Sequence, residues 1–470
     1  MYENYMICET GFRNTAEGGK ITGFQFDIRI PYYRGLYLSM LEDFGVKVDG
    51  VSYPRECIRF AYRGHIVSLD KLAGITDVQW EFGSPATLMV KKPGGLAPGT
   101  HHIQLTQRLR ISYLPWPAIT TGDANITLDS RTIRSGVSLY SYQQEYYLRQ
   151  MNLEDCVRAV SELGADGVEI LGEQMIPQFP NPSEDFVDRW YGWMEKYKTT
   201  PTTYDAFLDT KLHKDRVLTV DESVQMMARD MKLANRLGFK FIRVLVMVSR
   251  EIIEKSLPYA EQYNVKLGLE VHAPFSLKSA WIDEYCEMIE RTGTKHFGFI
   301  PDMGIFVRRL PPVLMDWYVR HGATKKLVHY VGEQYASGGE KEKVKAKVAA
   351  DGGNEMDVKF AEMAFHYSCD DPNWLRKYIP HMLHIHAKFY EMTEECVEPS
   401  IPYDEIVPIL AEEGYTGYLS SEYEGQRHIQ DAFEVDSVEQ VRRQHRMFER
   451  ILTKCSAEPK KKVSAEAALA

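Results

Sequence analysis

The sequence predicts an α/β protein in which a (β/α)8 TIM barrel follows a small antiparallel all-β domain. Three observations carry this. Residues 1–130 alternate apolar and polar side chains in short runs parted by Gly and Pro turns. From residue 136 the chain repeats an amphipathic helix, a glycine stop and an apolar strand. Eight candidate strands fall in that second part, the number a closed barrel needs, and 470 residues leave room for a barrel of ~250 residues with a domain attached.

In the first part Phe24, Phe26, Ile28 and Ile30 alternate with Gln25, Asp27 and Arg29, the period-2 pattern of a strand with one buried face. Similar runs recur near 46–48, 58–62, 78–82, 88–90 and 103–113, divided by turns such as Asp49-Gly50, Gly83-Ser84-Pro85 and Pro98-Gly99. With little helical periodicity between them, they predict an antiparallel sandwich or barrel over 1–130. His101 and His102 are neighbours in one run and face opposite ways, which argues against a shared metal. Residues 114–136 read as a connector.

The barrel is expected over 136–455. Asn152 can cap a helix whose Leu153, Cys156, Val157, Val160 and Leu163 form one stripe; Gly164 stops it, and Gly167-Val168-Glu169-Ile170-Leu171 reads as a strand. A second copy runs over 223–237, stops at Gly238 and continues as a strand from Phe241. A late copy has Ile409, Leu410, Gly414 and a strand from Gly417. The eight strands are expected near 137–142, 167–171, 201–208, 241–247, 266–272, 296–301, 382–387 and 417–423. The stretch 305–380 reads as a helical insertion, and 456–470 as a disordered tail.

Hydrophobic residues at 44% and charged residues at 26% are those of a globular chain. Net charge is −10, with no basic block in the folded part, which argues against nucleic-acid or anionic-membrane binding. No run of 18 apolar residues is present, so no membrane-spanning helix is expected. Seven scattered cysteines and an N-terminus without signal-peptide character make the cytoplasm the expected location.

Chemistry in such barrels sits at the C-terminal strand ends. The fifth strand ends with Glu270 and His272 on one face, and the sixth ends in Asp302. The seventh offers His384, His386 and Lys388 on one face, and the eighth delivers Glu422 and Glu424. A lone Glu at a strand end is ordinarily a solvated rim residue, and a lone His a satisfied structural one. Four consecutive strand ends bearing ligands are different: a Glu, Asp, His, Glu cage suits Mn²⁺, Mg²⁺ or Co²⁺ and leaves positions open for substrate oxygens. His386 is preferred to His384 because it lies nearer the strand's end.

Leu-Glu-Val-His, Pro-Asp, His-Ile-His-Ala-Lys and Ser-Ser-Glu-Tyr-Glu-Gly, in that order, resemble the sugar phosphate isomerase/epimerase superfamily of xylose-isomerase-like barrels over about 136–452. The β region before them resembles the β subunit of the bacterial C-glycoside deglycosidases, whose α subunit is such a barrel, so the chain looks like a fusion, β first. The resemblance places the metal ligands on Glu270, Asp302, His386 and Glu422 and the general base on His272; the alternative for His272 is a residue that only orients Glu270. Glu169, His384, Lys388 and Glu424 are candidates for touching the sugar or protonating the leaving group.

The activity this implies is C–C cleavage in 3-oxo-C-glucosides, with 3-oxo-O-glucosides as a further possibility. An aryl C-glycoside has no protonatable anomeric oxygen, so ordinary acid-assisted hydrolysis fails. A ketone at C3, made by an upstream oxidoreductase, acidifies the C2 hydrogen; a metal stabilises the enolate as a Lewis acid. His272 takes the C2 proton, and β-elimination expels the aglycone. The main alternative is a ketose epimerase or isomerase working through a metal-bound enediolate. A carbohydrate-binding barrel without catalysis, or a metal-free retaining glycosidase, fits the ligand set less well. No Gly-rich phosphate cradle appears in the last two βα connections, so a phenolic aglycone is expected rather than a sugar phosphate. Of the loop aromatics Tyr140, Tyr142, Trp190, Tyr191, Trp193, Trp317 and Tyr318, most read as core or helix-packing residues and a few would supply its walls, with β-domain residues reaching over the mouth. A homo-oligomer is expected.

Overall fold

The alternating residues of the first part face one another across two sheets. In the computed structural model, which describes residues 2–17 and 20–457, Phe24, Phe26 and Ile28 are fully buried. A five-stranded antiparallel sheet takes Arg13–Glu17, Lys20–Ile28, Ala86–Lys91, Ile58–Tyr62 and His65–Ser68 in that spatial order. A four-stranded antiparallel sheet takes Ala118–Thr127, Thr100–Leu109, Leu41–Val48 and Val51–Tyr53. Phe44 from the second sheet stacks on Phe60 from the first at 5.5 Å, and Trp80 meets Phe60 edge-on at 5.2 Å. The domain is a sandwich with an aromatic core.

Two expectations are corrected here. The middle of the expected connector, 10 of its 23 residues, is the edge strand Ala118–Thr127. Only Gly122 and Ile126 of that strand are buried, so its sequence carries no apolar alternation. Threonine pairs help hold it to its neighbour: Thr100 to Thr127 at 2.8 Å and Thr106 to Thr121 at 2.9 Å. The first barrel strand begins four residues earlier than expected, at Ile133, and 139–142 is a 3₁₀ turn. Ser141 explains the turn, because its hydroxyl donates to the Ser421 carbonyl and accepts from the Tyr423 amide, both at 2.9 Å.

The barrel strands are β1 (Ile133–Ser138), β2 (Gly167–Leu171), β3 (Thr200–Asp205), β4 (Phe241–Val244), β5 (Lys266–Val271), β6 (Phe297–Pro301), β7 (Ile385–Phe389) and β8 (Gly417–Tyr423). They are parallel, in the order β6-β5-β4-β3-β2-β1-β8-β7. Bridges from Phe299 to Met382 and from Asp302 to His386 bring β6 to β7 and nearly close the ring. Every residue of β2 and β6 is buried, as continuous apolar runs between barrel interior and helices require. Capping boxes at Asn152 and Thr219 fix where two of the surrounding helices start. Between β6 and β7 four helices, Pro312–Arg320, Lys325–Ala336, Lys341–Ala350 and Glu355–Ala364, enclose a small core of their own around Val328, Val331, Val348 and Phe360. The C-terminal helix is Ser437–Ala457, and the expected tail beyond it lies outside the described residues.

The β domain sits against the strand-start end of the barrel, not over its mouth. Asn235, in the last turn of the helix before β4, donates to the Gly64 carbonyl at 2.9 Å; Arg63 pairs with Asp188 at 3.1 Å, and Arg29 with Glu195 at 3.1 Å. The connection 128–132 has five residues and enters β1 at its start; at ~3.5 Å per residue it cannot carry the domain past the barrel to the other face. A cleft of about 2750 Å³ remains between the two parts, with Arg13, Asp27, Arg134 and Lys240 among its walls.

Candidate active site

The strands deliver the four expected ligands to one end of the barrel, but not into one ready cage. Glu270, His386 and Glu422 converge, with one ligand atom from each within 4.8 Å of the others. His386 Nδ1 lies 2.9 Å from Glu270 Oε1 and 3.8 Å from Glu422 Oε2. Asp302 stands beside this cluster. Its Oδ1 accepts from the Gly304 amide at 2.7 Å, and its Oδ2 meets Lys388 Nζ at 2.5 Å. Lys388 also reaches Glu424 at 3.2 Å and Glu422 at 3.5 Å, so one ammonium faces three carboxylates.

The electrostatics follow from burial and neighbours. Burial works against the Lys388 charge, but Asp302, Glu422 and Glu424 hold its proton well above the ordinary range. Burial pushes the Glu422 carboxyl up to about 8, against the pull of Lys388 and His386. Glu270 goes the other way: Arg243 and His386 outweigh burial and keep it ionised below the usual carboxylate range. His386 is raised well above neutrality despite burial, because Glu169, Glu422 and Glu270 surround its ring. Glu422 Oε2 is buried without accepting a hydrogen bond among the described residues. Three carboxylates and one imidazole at one end of the barrel are a donor set that fits a hard divalent ion.

Beside the ligands lies a cavity of about 270 Å³, close to the ~300 Å³ lower end of small-molecule sites. His272, Asp302, Lys388, Tyr367, Tyr390 and Glu424 line it. His272 Nδ1 is 2.7 Å from the Ala273 carbonyl. A carbonyl only accepts, so Nδ1 carries the hydrogen, and in the neutral ring the lone pair is on Nε2.

Other expected residues fall elsewhere. Glu169 and His384 are fully buried beneath His386, with His384 Nε2 2.7 Å from Glu169 Oε2, and neither borders the cavity. The candidate aromatics are also not its walls. Trp190 donates to the Leu237 carbonyl, Tyr191 to that of Arg236, and Trp317 stacks on His321 at 3.9 Å. Tyr140 binds Arg427 rather than the cavity. Tyr367 and Tyr390 take that place, the first supplied by the segment that follows the four inserted helices. Sequence reasoning also missed Asp205, ending β3, and Arg243 on β4. Arg243 is 5% exposed and spans Asp205 at 3.3 Å and Glu270 at 3.6 Å. The signal was available: a lone arginine in Phe-Ile-Arg-Val-Leu-Val is costly to bury unless paired.

Residues 2–113 match the family model of the C-glycoside deglycosidase beta subunit, and residues 157–331 that of the xylose isomerase-like TIM barrel. The chain is 31% identical over 342 residues to the 3'-dehydrocarminate deglycosidase alpha subunit of a Microbacterium species, covering 69% of this chain and 97% of that one. It belongs to the C-glycoside deglycosidase family. It is also 32% identical over 325 residues to a C-glycoside deglycosidase alpha subunit of Arthrobacter globiformis (65% of this chain, 88% of that one). With the C-glycoside deglycosidase beta subunit of Eubacterium cellulosolvens it shares 38% identity over 121 residues (26% and 82%). Parts that those deglycosidases name as alpha and beta subunits therefore lie on one chain here, β part first. No helix among the described residues is long and apolar enough to cross a membrane.

Proposed function

We propose that this chain cleaves the C–C bond between sugar and aglycone in 3-oxo-C-glucosides of phenolic aglycones, a divalent-metal-dependent lyase reaction. The observation that carries the reading is His272: its Nε2 lone pair belongs to a residue on the same small cavity as Asp302 and Lys388. Glu270, Asp302, His386 and Glu422 are the residues to hold the ion, Mn²⁺ before Mg²⁺ or Co²⁺. A bound divalent ion supplies Lewis-acid polarisation of the 3-oxo group, which acidifies the C2 hydrogen.

His272 Nε2 accepts the proton from C2. The electron pair left behind forms the C1–C2 double bond as the bond from C1 to the aglycone breaks, and the aglycone carbon takes a proton. Lys388 is a cationic acid on the cavity and the candidate donor; Glu424 is held ionised below the ordinary range, since Lys388 and Arg427 outweigh burial. His384 has no access to either step. The substrate has to be supplied by an oxidoreductase that makes the 3-oxo sugar. We place the protein in the cytoplasm as a homo-oligomer.

The test incubates the Mn²⁺-loaded protein with a 3-oxo-C-glucoside and separately with free ketohexoses. Aglycone release with an unsaturated anhydro-ketosugar is the expected result. Epimerised ketohexose without aglycone release would make it an epimerase instead.

A further inference from the structure

We propose that Glu169, clamped by His384, is the positioning residue of the metal centre, holding the His386 ring so that Nδ1 is the nitrogen presented to Glu270 and Glu422. The inference rests on the metal reading above and deepens it.

An imidazole offers a lone pair on one nitrogen only when the other keeps its hydrogen, so whatever faces the second nitrogen decides which one can bind a cation. His386 is fully buried, and its two nitrogens have different surroundings. Nδ1 faces Glu270 Oε1 at 2.9 Å and Glu422 Oε2 at 3.8 Å. Nε2 faces Glu169 Oε1 at 3.3 Å, an ion-pair contact turned off the best hydrogen-bond line. Both atoms of that contact are buried, and neither makes a hydrogen bond elsewhere among the described residues. A carboxylate only accepts, and each nitrogen faces one, so both carry a hydrogen while the ring is charged; an ion would take the place of the hydrogen on Nδ1, and Glu169 would keep the one on Nε2.

Glu169 is fixed in turn. Its Oε2 accepts from His384 Nε2 at 2.7 Å, and both side chains are 0% exposed. An unpaired carboxylate there would cost several kcal/mol; with an imidazole against each oxygen it has one orientation. The alternation of β7 makes this possible, because His384 and His386 share a face and Glu169 on β2 projects between them. Glu169 cannot serve as a sugar contact, since it does not border the cavity. The rival assignment is a second ion held by Glu169, His384 and His386, whose ligand atoms also lie within 4.8 Å of one another.

The experiment titrates the purified full-length chain with Mn²⁺, without substrate, and counts free ion by EPR, with near-ultraviolet circular dichroism as the check on folding. Wild type should bind one ion per chain, and Glu169→Gln should bind it about 10–100-fold more weakly while staying folded. His384→Leu, which releases the clamp but leaves the carboxylate, should weaken binding by about tenfold. It decides the matter should Glu169→Gln fail to fold. Wild-type affinity in a folded variant would overturn the proposal, as would two ions per wild-type chain, which would make the triad a second site. A wild type that binds no Mn²⁺ would overturn it together with the metal reading. The predicted affinities in a protein that releases no aglycone would support this proposal and sink the elimination reading alone.

Discussion

Glu270 and Glu422 are the same residue type on neighbouring sides of one cluster, yet they are driven apart. Arg243 keeps the first ionised, whereas burial raises the second to about 8. At neutral pH an entering cation has to displace a proton from Glu422 and another from His386 Nδ1. Protons compete with the metal, so affinity should climb as pH rises towards 8, by about tenfold per pH unit for each proton displaced. Mn²⁺ titrations at several pH values check this; Glu422→Gln should bind less metal and lose one proton's share of the slope, and Glu270→Gln should also lower metal content. His272→Gln separates binding from chemistry. It should keep its Mn²⁺ and lose about 10²–10⁴ in aglycone release, as removing a general base does. Undiminished turnover in that variant would remove His272 as the base.

At the scale of elements, the packing of the last helix on β8 sets an acid limit on stability. His445, on the helix Ser437–Ala457, bonds Ser421 Oγ at 2.9 Å, and burial pushes its imidazole down to about 4. In the unfolded chain a histidine titrates near ~6.5. Between those values the unfolded state binds a proton that the folded state refuses, so stability falls as pH falls from about 6.5 to 4, by about 3 kcal/mol in all. Urea unfolding at pH 7 and pH 4.5 should show that loss, and His445→Gln should reduce it. The turn after β8 is equally tight: a Cβ on Gly425 would lie 1.8 Å from the Tyr390 carbonyl. Gly425→Ala should therefore force β7 and β8 apart at the cavity wall, lowering stability by about 1–3 kcal/mol. A thermal melt reads this directly.

For the whole molecule, the arrangement of the two parts matters most. The short connection holds the β domain at the strand-start end, with a cleft between it and the barrel, while the candidate cavity opens among residues at the other end. Limited proteolysis should respect this. The loop around Tyr113 and Trp116, which are 59% and 73% exposed, should be cut, whereas the paired strand Ala118–Thr127 should resist. Cleavage inside that strand, read by mass spectrometry, would contradict its pairing with Thr100–Leu109.

Barrel, sandwich and the clustering of acidic and histidine residues at strand ends were legible in the sequence because each rests on a local period. Alternation marks Phe24 and Phe26, glycine stops mark Gly164 and Gly238, and strand parity puts Glu270 with His272 and His384 with His386. What lacked a local period was missed. The edge strand from Ala118 buries too little to alternate, and Ser141 bends 139–142 through bonds to a strand some 280 residues away. Only the tertiary structure decided which side of the barrel axis each polar residue serves. It sets His272 and Lys388 on the cavity, and Glu169 and His384 beneath His386, because a side chain's depth depends on how neighbouring strands are staggered. It also decided where the β domain rests, since a five-residue tether fixes an end of the barrel that no pattern in either domain encodes.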